Sequence, residues 1–177
     1  MTTYIAFLRG INVGGHKKFP KANQIQLFSN LGIKNPEVYL HTGNWIFQSV
    51  DSREVLVQKL SEAMKEMQGW QVPILLKTTK ELQEILAACP FSEEEKVKSY
   101  FMLLFETPSE EKVKSLSPIS LEGEKFAITK ECIYLFSLVG FGNSKLNNNF
   151  FENKLKVTAT TRNFNTMNSL IKLSLEF

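Results

Sequence analysis

Cysteine, histidine and aspartate are scarce in this chain of 177 residues. Cysteine occurs only at Cys89 and Cys132, histidine only at His16 and His41, and Asp51 is the single aspartate. The cysteines lie outside any C-x-x-C spacing and far from either histidine, which predicts small buried side chains in a reducing compartment. With one aspartate, and with glutamates mostly in predicted helices, no loop offers converging carboxylates for Mg²⁺ or Ca²⁺, and zinc lacks a ligand set. The sequence carries no metal or dinucleotide signature and therefore leaves the identity of any cofactor unknown.

Long apolar runs are also missing. The longest, such as residues 100–105, have the length of a strand and are far short of a membrane span. The opening Met-Thr-Thr-Tyr has none of the character of a secretory signal. These features predict a cytoplasmic protein without a membrane partner, and none of them indicates an oligomeric state. Apolar residues make up 43% and charged residues 22% of the chain, which is typical of a globular protein, and a net charge of +3 permits anionic ligands without requiring nucleic acid.

The pattern of residues 1–78 predicts one βαββαβ unit. Its elements are a strand at residues 4–8, a loop at 10–20, a helix from Lys21 that Gly32 closes, strands at 38–42 and 45–50 joined by Gly43-Asn44, a helix capped by Ser52, and a strand at 71–77. Glycine with asparagine is typical of a hairpin turn, and serine is typical of a helix start. Because the first strand is apolar on both sides, we expect both faces of the sheet to be covered.

A similar order of elements begins again after residue 98. A strand at 100–105, a short helix at 109–116, strands at 125–130 and 132–138, and helices around 149–154 and 164–173 follow one another. The second half is thus predicted to end on an extra helix in place of its last strand. We predict an α/β (α+β) protein of duplicated ferredoxin-like βαββαβ halves with antiparallel sheets. The predicted divisions are residues 1–78, a linking helix and loop at 79–98, and residues 99–177.

The loop between the first strand and the first helix is the main candidate binding segment. Its candidate ligand-binding residues are Arg9, Gly10, Asn12, Gly14, Gly15 and Lys18. Glycines allow a tight turn that exposes backbone N–H groups, and a helix N-terminus favours anions. Lysines at a helix start oppose the helix dipole, so they fit better if an anion lies among them. The alternative is a glycine-rich connection with solvated lysines, because neither the dinucleotide nor the P-loop spacing is present.

Arginine is used only at Arg9, Arg53 and Arg162. A chain that otherwise uses lysine can reserve arginine for places that need a planar, bidentate donor. Arg53 lies next to a helix cap, and this position indicates an ordinary surface residue. Arg9 at a strand end and Arg162 in a polar loop are candidates for binding carboxylate or phosphate, or alternatively for structural ion pairs.

Further candidates lie at other loops. Ser144 and Lys145 follow a strand and a Gly-Phe-Gly turn, and Asn163 follows Arg162 just before the last helix, where helix capping is the simpler role for Asn163. Asn44 is a turn residue first and a candidate second. Adjacent side chains point apart, so Ser144-Lys145 does not predict a nucleophile pair. No catalytic residue is predicted, and enzyme activity is left open. We also expect the loops after the first and third strands of a unit to leave the same end of its sheet.

The polar motifs resemble those of a bacterial family. They are Arg-Gly-Ile-Asn-Val-Gly-Gly at residues 9–15, Thr-Gly-Asn at 42–44, Ser-Lys at 144–145 and Thr-Arg-Asn-Phe-Asn-Thr at 161–166. Together they are similar to the motifs of the family catalogued as domain-of-unknown-function family 1697. The resemblance covers nearly the whole chain. It implies a conserved bacterial protein with a duplicated ferredoxin-like architecture, and it implies no activity.

Three functional hypotheses follow. The first is anion binding, in which the candidate residues hold a small nucleotide or phosphorylated ligand. The second is a nucleic-acid-binding ferredoxin-like module in which Trp45 and Phe47 stack on bases; the modest charge and the missing RNP1 pattern argue against it. The third is a partner-dependent scaffold in which the motifs are purely structural.

Overall fold

Two four-stranded antiparallel sheets organise the chain in the computed structural model, which describes every residue from Met1 to Phe177. The chain divides into two units: Met1–Gln83 with Ser169–Phe177 form unit 1, and Glu84–Asn168 form unit 2. In chain order the elements are β1 (Thr2–Leu8), α1 (Lys21–Asn30), β2 (Glu37–Val38), β3 (Asn44–Ser49), α2 (Arg53–Gln68), β4 (Ile74–Thr78), α3 (Thr79–Ala87), α4 (Glu93–Lys96), β5 (Ser99–Leu104), α5 (Glu110–Leu116), β6 (Glu124–Ile128), β7 (Cys132–Ser137), α6 (Asn148–Leu155), β8 (Ala159–Asn163) and α7 (Phe164–Ser174).

The sheet of unit 1 has the strand order β2-β3-β1-β4, which is that of a ferredoxin-like βαββαβ fold. Helices α1 and α2 cover one face, where Phe28 and Leu60 pack with Trp45 and Phe47 in one buried cluster. The opposite face of β1 is buried as well, since Ile5 is fully inaccessible to solvent. The expectation that both faces of the first strand are covered is therefore confirmed.

Unit 2 repeats this topology with the strand order β6-β7-β5-β8. Met102 and Ile133 of the sheet pack with Phe151 and Leu155 of α6 in a second buried cluster. Helix α6 begins where the Asn147 side chain accepts a hydrogen bond from the backbone N–H of Phe150 at 3.1 Å. Both units thus have the predicted antiparallel βαββαβ arrangement.

The prediction that unit 2 lacks its last strand is wrong. Residues Ala159–Asn163 form β8, which pairs antiparallel with β5 and places Arg162 opposite Phe101. The segment Ala-Thr-Thr-Arg-Asn looks like a polar loop because it contains no run of large apolar residues. It is a strand because β5 supplies backbone partners for its N–H and C=O groups. Arg162 consequently lies in a sheet rather than in a loop.

The expectation that the loops after the first and third strands share one end of a sheet is also wrong. β1 and β3 run antiparallel, with Phe7 opposite Asn44 and Thr2 opposite Ser49. The end of β1 therefore meets the beginning of β3, and the loop after β1 lies beside the β2–β3 turn instead. None of the helices has the combined length and hydropathy that crossing a membrane would require.

Candidate functional site

Three connections of unit 1 meet at the end of the sheet where β1 finishes: residues 9–21, 39–44 and 69–73. Antiparallel pairing brings them together, because Leu8 lies opposite Ile74 at the start of β4. The backbone N–H of Leu8 donates to the carbonyl of Gly43 at 2.9 Å, and that of Arg9 donates to the carbonyl of Pro73 at 3.1 Å. We call these three segments the basic end of unit 1.

Asn12 holds the first of these segments in place. Its amide donates to the carbonyls of Phe19, at 3.1 Å, and of His41, and its side-chain oxygen accepts from the backbone N–H of Phe19 at 2.7 Å. Its backbone has φ +54°, a left-handed conformation that asparagine tolerates better than most residues. These bonds join the two ends of the loop and tie it to the β2–β3 turn. Asn12 was predicted to bind a ligand, but its amide serves the loop.

Gly14 and Gly15 form a tight hairpin turn rather than a phosphate cradle. Their φ values are +58° and +78°, and the backbone N–H of His16 closes the turn by donating to the carbonyl of Val13 at 3.1 Å. Positive φ at both central residues is the signature of a type I′ turn, which glycine adopts without strain. Val13, at the start of this turn, is 61% exposed. Gly10, also at positive φ (+75°), lets the chain leave β1.

The β2–β3 turn is held equally firmly. The amide of Asn44 donates to the carbonyl of Tyr39 at 3.0 Å, and the backbone N–H of Tyr39 donates back to the carbonyl of Asn44 at 2.9 Å. Gly43 has φ +84°, and a Cβ there would lie 2.7 Å from the Cβ of Leu8, so only glycine fits. The turn also forces Leu40 into a left-handed conformation at φ +56° while leaving it 50% exposed. Asn44 is thus buried and structural.

The basic end contains no carboxylate. Its three segments hold Arg9, Lys17, Lys18 and Lys21 together with His16 and His41, and no aspartate or glutamate. Helix α1 adds the positive end of its dipole, because it begins at Pro20–Lys21 without an acidic residue in its first turn and without a side-chain cap. Outside these segments, Glu37 approaches Lys21 at 3.9 Å in an exposed ion pair.

Lys17 is oriented by its neighbours. Its ammonium donates to the carbonyl of Gln71 at 3.4 Å and lies 5.9 Å from the ring centroid of Trp70, within the range of a cation–π contact. Trp70 packs edge-on against the buried Phe19. Lys18, the next residue, is exposed. Lys17 is therefore held against residues 69–73, while Lys18 is exposed to solvent.

The candidates in unit 2 have structural partners too. Ser144 is buried, and its hydroxyl accepts from the backbone N–H of Leu146 at 2.9 Å. Asn163 accepts from the backbone N–H of Thr166 at 2.8 Å and so caps α7, the role that the sequence favoured. Lys145 is exposed. Because β7 and β8 both pair antiparallel with β5, the Ser144-Lys145 loop and Asn163 lie at the same end of this sheet with β5 between their strands.

Arg162 is almost completely buried in β8. It donates to the hydroxyl of Thr160 at 2.9 Å and to the carbonyl of Thr161 at 2.7 Å. Burial lowers the pKa of its guanidinium to about 10, so the side chain stays charged near neutral pH. A buried guanidinium bonded to its own strand supports a structural role within unit 2.

The aromatic residues proposed to stack on bases are core residues. Trp45 and Phe47 are both fully buried, and each packs against Phe28. The indole N–H of Trp45 donates to the side chain of Gln24, which in turn donates to the carbonyl of Phe19 at 2.7 Å. With its faces and its polar atom engaged, Trp45 offers no surface to a nucleotide base.

Sequence reasoning missed the third segment of the basic end. Trp70 and Gln71 come from the connection between α2 and β4, which carries no glycine-rich motif. The signal that identifies it is the shared absence of carboxylates in segments 9–21, 39–44 and 69–73, combined with the strand order that brings those segments together.

Comparison with known proteins confirms the resemblance. The chain belongs to the family described as "Protein of unknown function (DUF1697)", whose model matches residues 1–134. It is also similar to the solved structure of the conserved bacterial protein SP0830 from Streptococcus pneumoniae, with 25% sequence identity and a TM-score of 0.74 over 98% of each chain. No curated protein matches the chain.

Proposed function

We propose that the basic end of unit 1 binds a small anionic ligand, either a nucleotide or another phosphorylated compound. The observation that carries the proposal is the meeting of three connections that hold lysine, arginine and histidine but no carboxylate. Positively charged groups on neighbouring loops, without negative charges among them, raise the local concentration of anions. The positive end of the α1 dipole acts in the same direction.

The roles of the candidate residues differ from those that the motifs suggested. Lys18 and Lys17 supply charge, and Arg9, at the start of the loop, supplies a guanidinium. Asn12 and Asn44 fix the shape of the loops that carry these groups, since their amides bond to loop carbonyls. The glycines of the type I′ turn give the loop its path rather than a backbone cradle.

A thermal-shift screen of the full chain against nucleotides, sugar phosphates and inorganic pyrophosphate tests the proposal. A ligand that binds only the folded protein raises its melting temperature. We expect stabilisation by phosphorylated compounds that weakens with added salt. Lys18→Glu should reduce the affinity of any such compound about tenfold or more, because reversing an exposed charge at contact distance changes the interaction by roughly 1–2 kcal/mol.

Lys34→Glu is the matched control, since Lys34 is also an exposed lysine of unit 1 but follows the far end of α1. It should leave the affinity unchanged. Equal loss in both variants would indicate a general effect of net charge and would count against a site at the basic end. Stabilisation by RNA alone, falling steeply with salt, would favour a nucleic-acid-binding module.

The structural contacts of the motif residues favour a second candidate function, a scaffold that acts through a protein partner. Asn12, Asn44, Ser144 and Asn163 all make hydrogen bonds within their own unit. If no phosphorylated compound in the screen stabilises the protein, the scaffold hypothesis is favoured over anion binding.

A further inference from the structure

Two exposed aliphatic side chains lie within the basic end. Val13, at the start of the type I′ turn, is 61% exposed, and Leu40, in the β2–β3 turn, is 50% exposed. Each is one residue away from a partner of the hydrogen bond that joins Asn12 to the carbonyl of His41. The two turns that carry them are therefore directly linked, and both residues belong to segments without a carboxylate.

The fold does not account for leucine at position 40. Its φ of +56° is in the left-handed region, which is strained for an L-residue with a Cβ and which asparagine or glycine adopts more readily. Its side chain does not repay this strain by burial, because half of its surface stays in water. A leucine that is both strained and exposed is better explained by contact with something outside the chain.

We infer that Leu40 and Val13 form an apolar contact for the ligand of the basic end, so that this ligand is a nucleotide whose base packs on them beside the lysine-bound phosphate. The inference rests on the proposed function and narrows its ligand class. A sugar phosphate or inorganic phosphate has no apolar part that could cover these side chains. A nucleoside monophosphate carries an anion at one end and a flat ring with low polarity on its faces at the other.

Calorimetric titration with probes that differ only in the presence of a base tests the inference. The four common nucleoside 5′-monophosphates are compared with ribose 5-phosphate, which has the same phosphate and sugar without the base. We expect the best nucleoside monophosphate to bind about tenfold more tightly than ribose 5-phosphate. Leu40→Asn and Val13→Thr should each weaken the binding of that nucleotide about fivefold by removing apolar contact. The affinity for ribose 5-phosphate should stay unchanged.

The variants also separate folding from binding. Leu40→Asn should keep or raise the melting temperature, because asparagine suits the left-handed backbone better than leucine. If nucleotides and ribose 5-phosphate bind equally, and Lys18→Glu weakens both, the anion site stands and the apolar contact is refuted. If no probe binds the parent chain, the proposed function fails and this inference fails with it.

Discussion

Replacing Asn12 by alanine decides whether this motif residue serves the fold. The substitution removes two donated hydrogen bonds and one accepted hydrogen bond, and it leaves the backbone N–H of Phe19 and the carbonyls of Phe19 and His41 without this partner. Each bond contributes about 1 kcal/mol net, and somewhat less where water can replace it. Alanine at φ +54° adds about 1 kcal/mol of strain. We therefore expect a loss of about 3 kcal/mol in the free energy of unfolding.

Asn35→Ala isolates the strain contribution in this measurement. Asn35 has nearly the same backbone conformation, φ +50°, but it is exposed and makes no side-chain hydrogen bond, so its replacement should cost only about 1 kcal/mol. Urea unfolding followed by tryptophan fluorescence reports on unit 1, because both tryptophans, Trp45 and Trp70, belong to it. Equal losses in the two variants would refute a structural role for the Asn12 amide and would return it to the list of ligand-binding candidates.

Two further substitutions test polar contacts, one partly exposed in unit 1 and one buried in unit 2. Glu81→Gln should cost about 1–2 kcal/mol near neutral pH, because Glu81 accepts two hydrogen bonds from Arg53, at 2.8 and 3.0 Å, and one from the backbone N–H of Thr78 at 2.7 Å. Burial raises the pKa of Glu81, but the hydrogen bonds from Arg53 and Thr78 outweigh it and hold the pKa below its usual 4.5. The contribution is therefore fully present above about pH 4.5 and is lost as the pH falls through the lowered value, so the difference between Glu81→Gln and the parent chain in urea unfolding should shrink as the pH is lowered below 4.5. Tyr134→Phe should cost about 1–2 kcal/mol at any pH below 10, because burial raises the pKa of this hydroxyl and keeps it a neutral donor to the carbonyl of Ile85 at 2.8 Å; a change below about 0.3 kcal/mol by circular dichroism would contradict this.

The sequence predicts most of the fold because hydrophobic periodicity and turn chemistry agree along most of the chain. Residues 4–8 are apolar at every position, and the structure buries all of them in a central strand. Hydrophobic periodicity does not identify the strand at residues 159–163, because this segment is mostly polar. It forms a strand because it pairs with β5, and no local sequence pattern encodes that pairing. The predicted strand at 38–42 is shorter for a related reason. The hydrogen bonds between Tyr39 and Asn44 close the turn early, so β2 ends at Val38, four residues before the predicted end at Thr42.

The site was harder to predict because a polar residue at a strand end has two uses that look alike in a sequence. Such a residue can face a ligand, or it can satisfy the backbone groups of a loop that leaves regular structure. Asn12, Asn44 and Asn163 take the second use, and their geometry shows it through bonds to backbone atoms of their own unit. The better candidates for ligand binding in this chain are therefore residues whose identity the fold does not explain. Lys18 and Leu40 are such residues, since one is an exposed cation in a segment without carboxylates and the other is an exposed, strained apolar side chain.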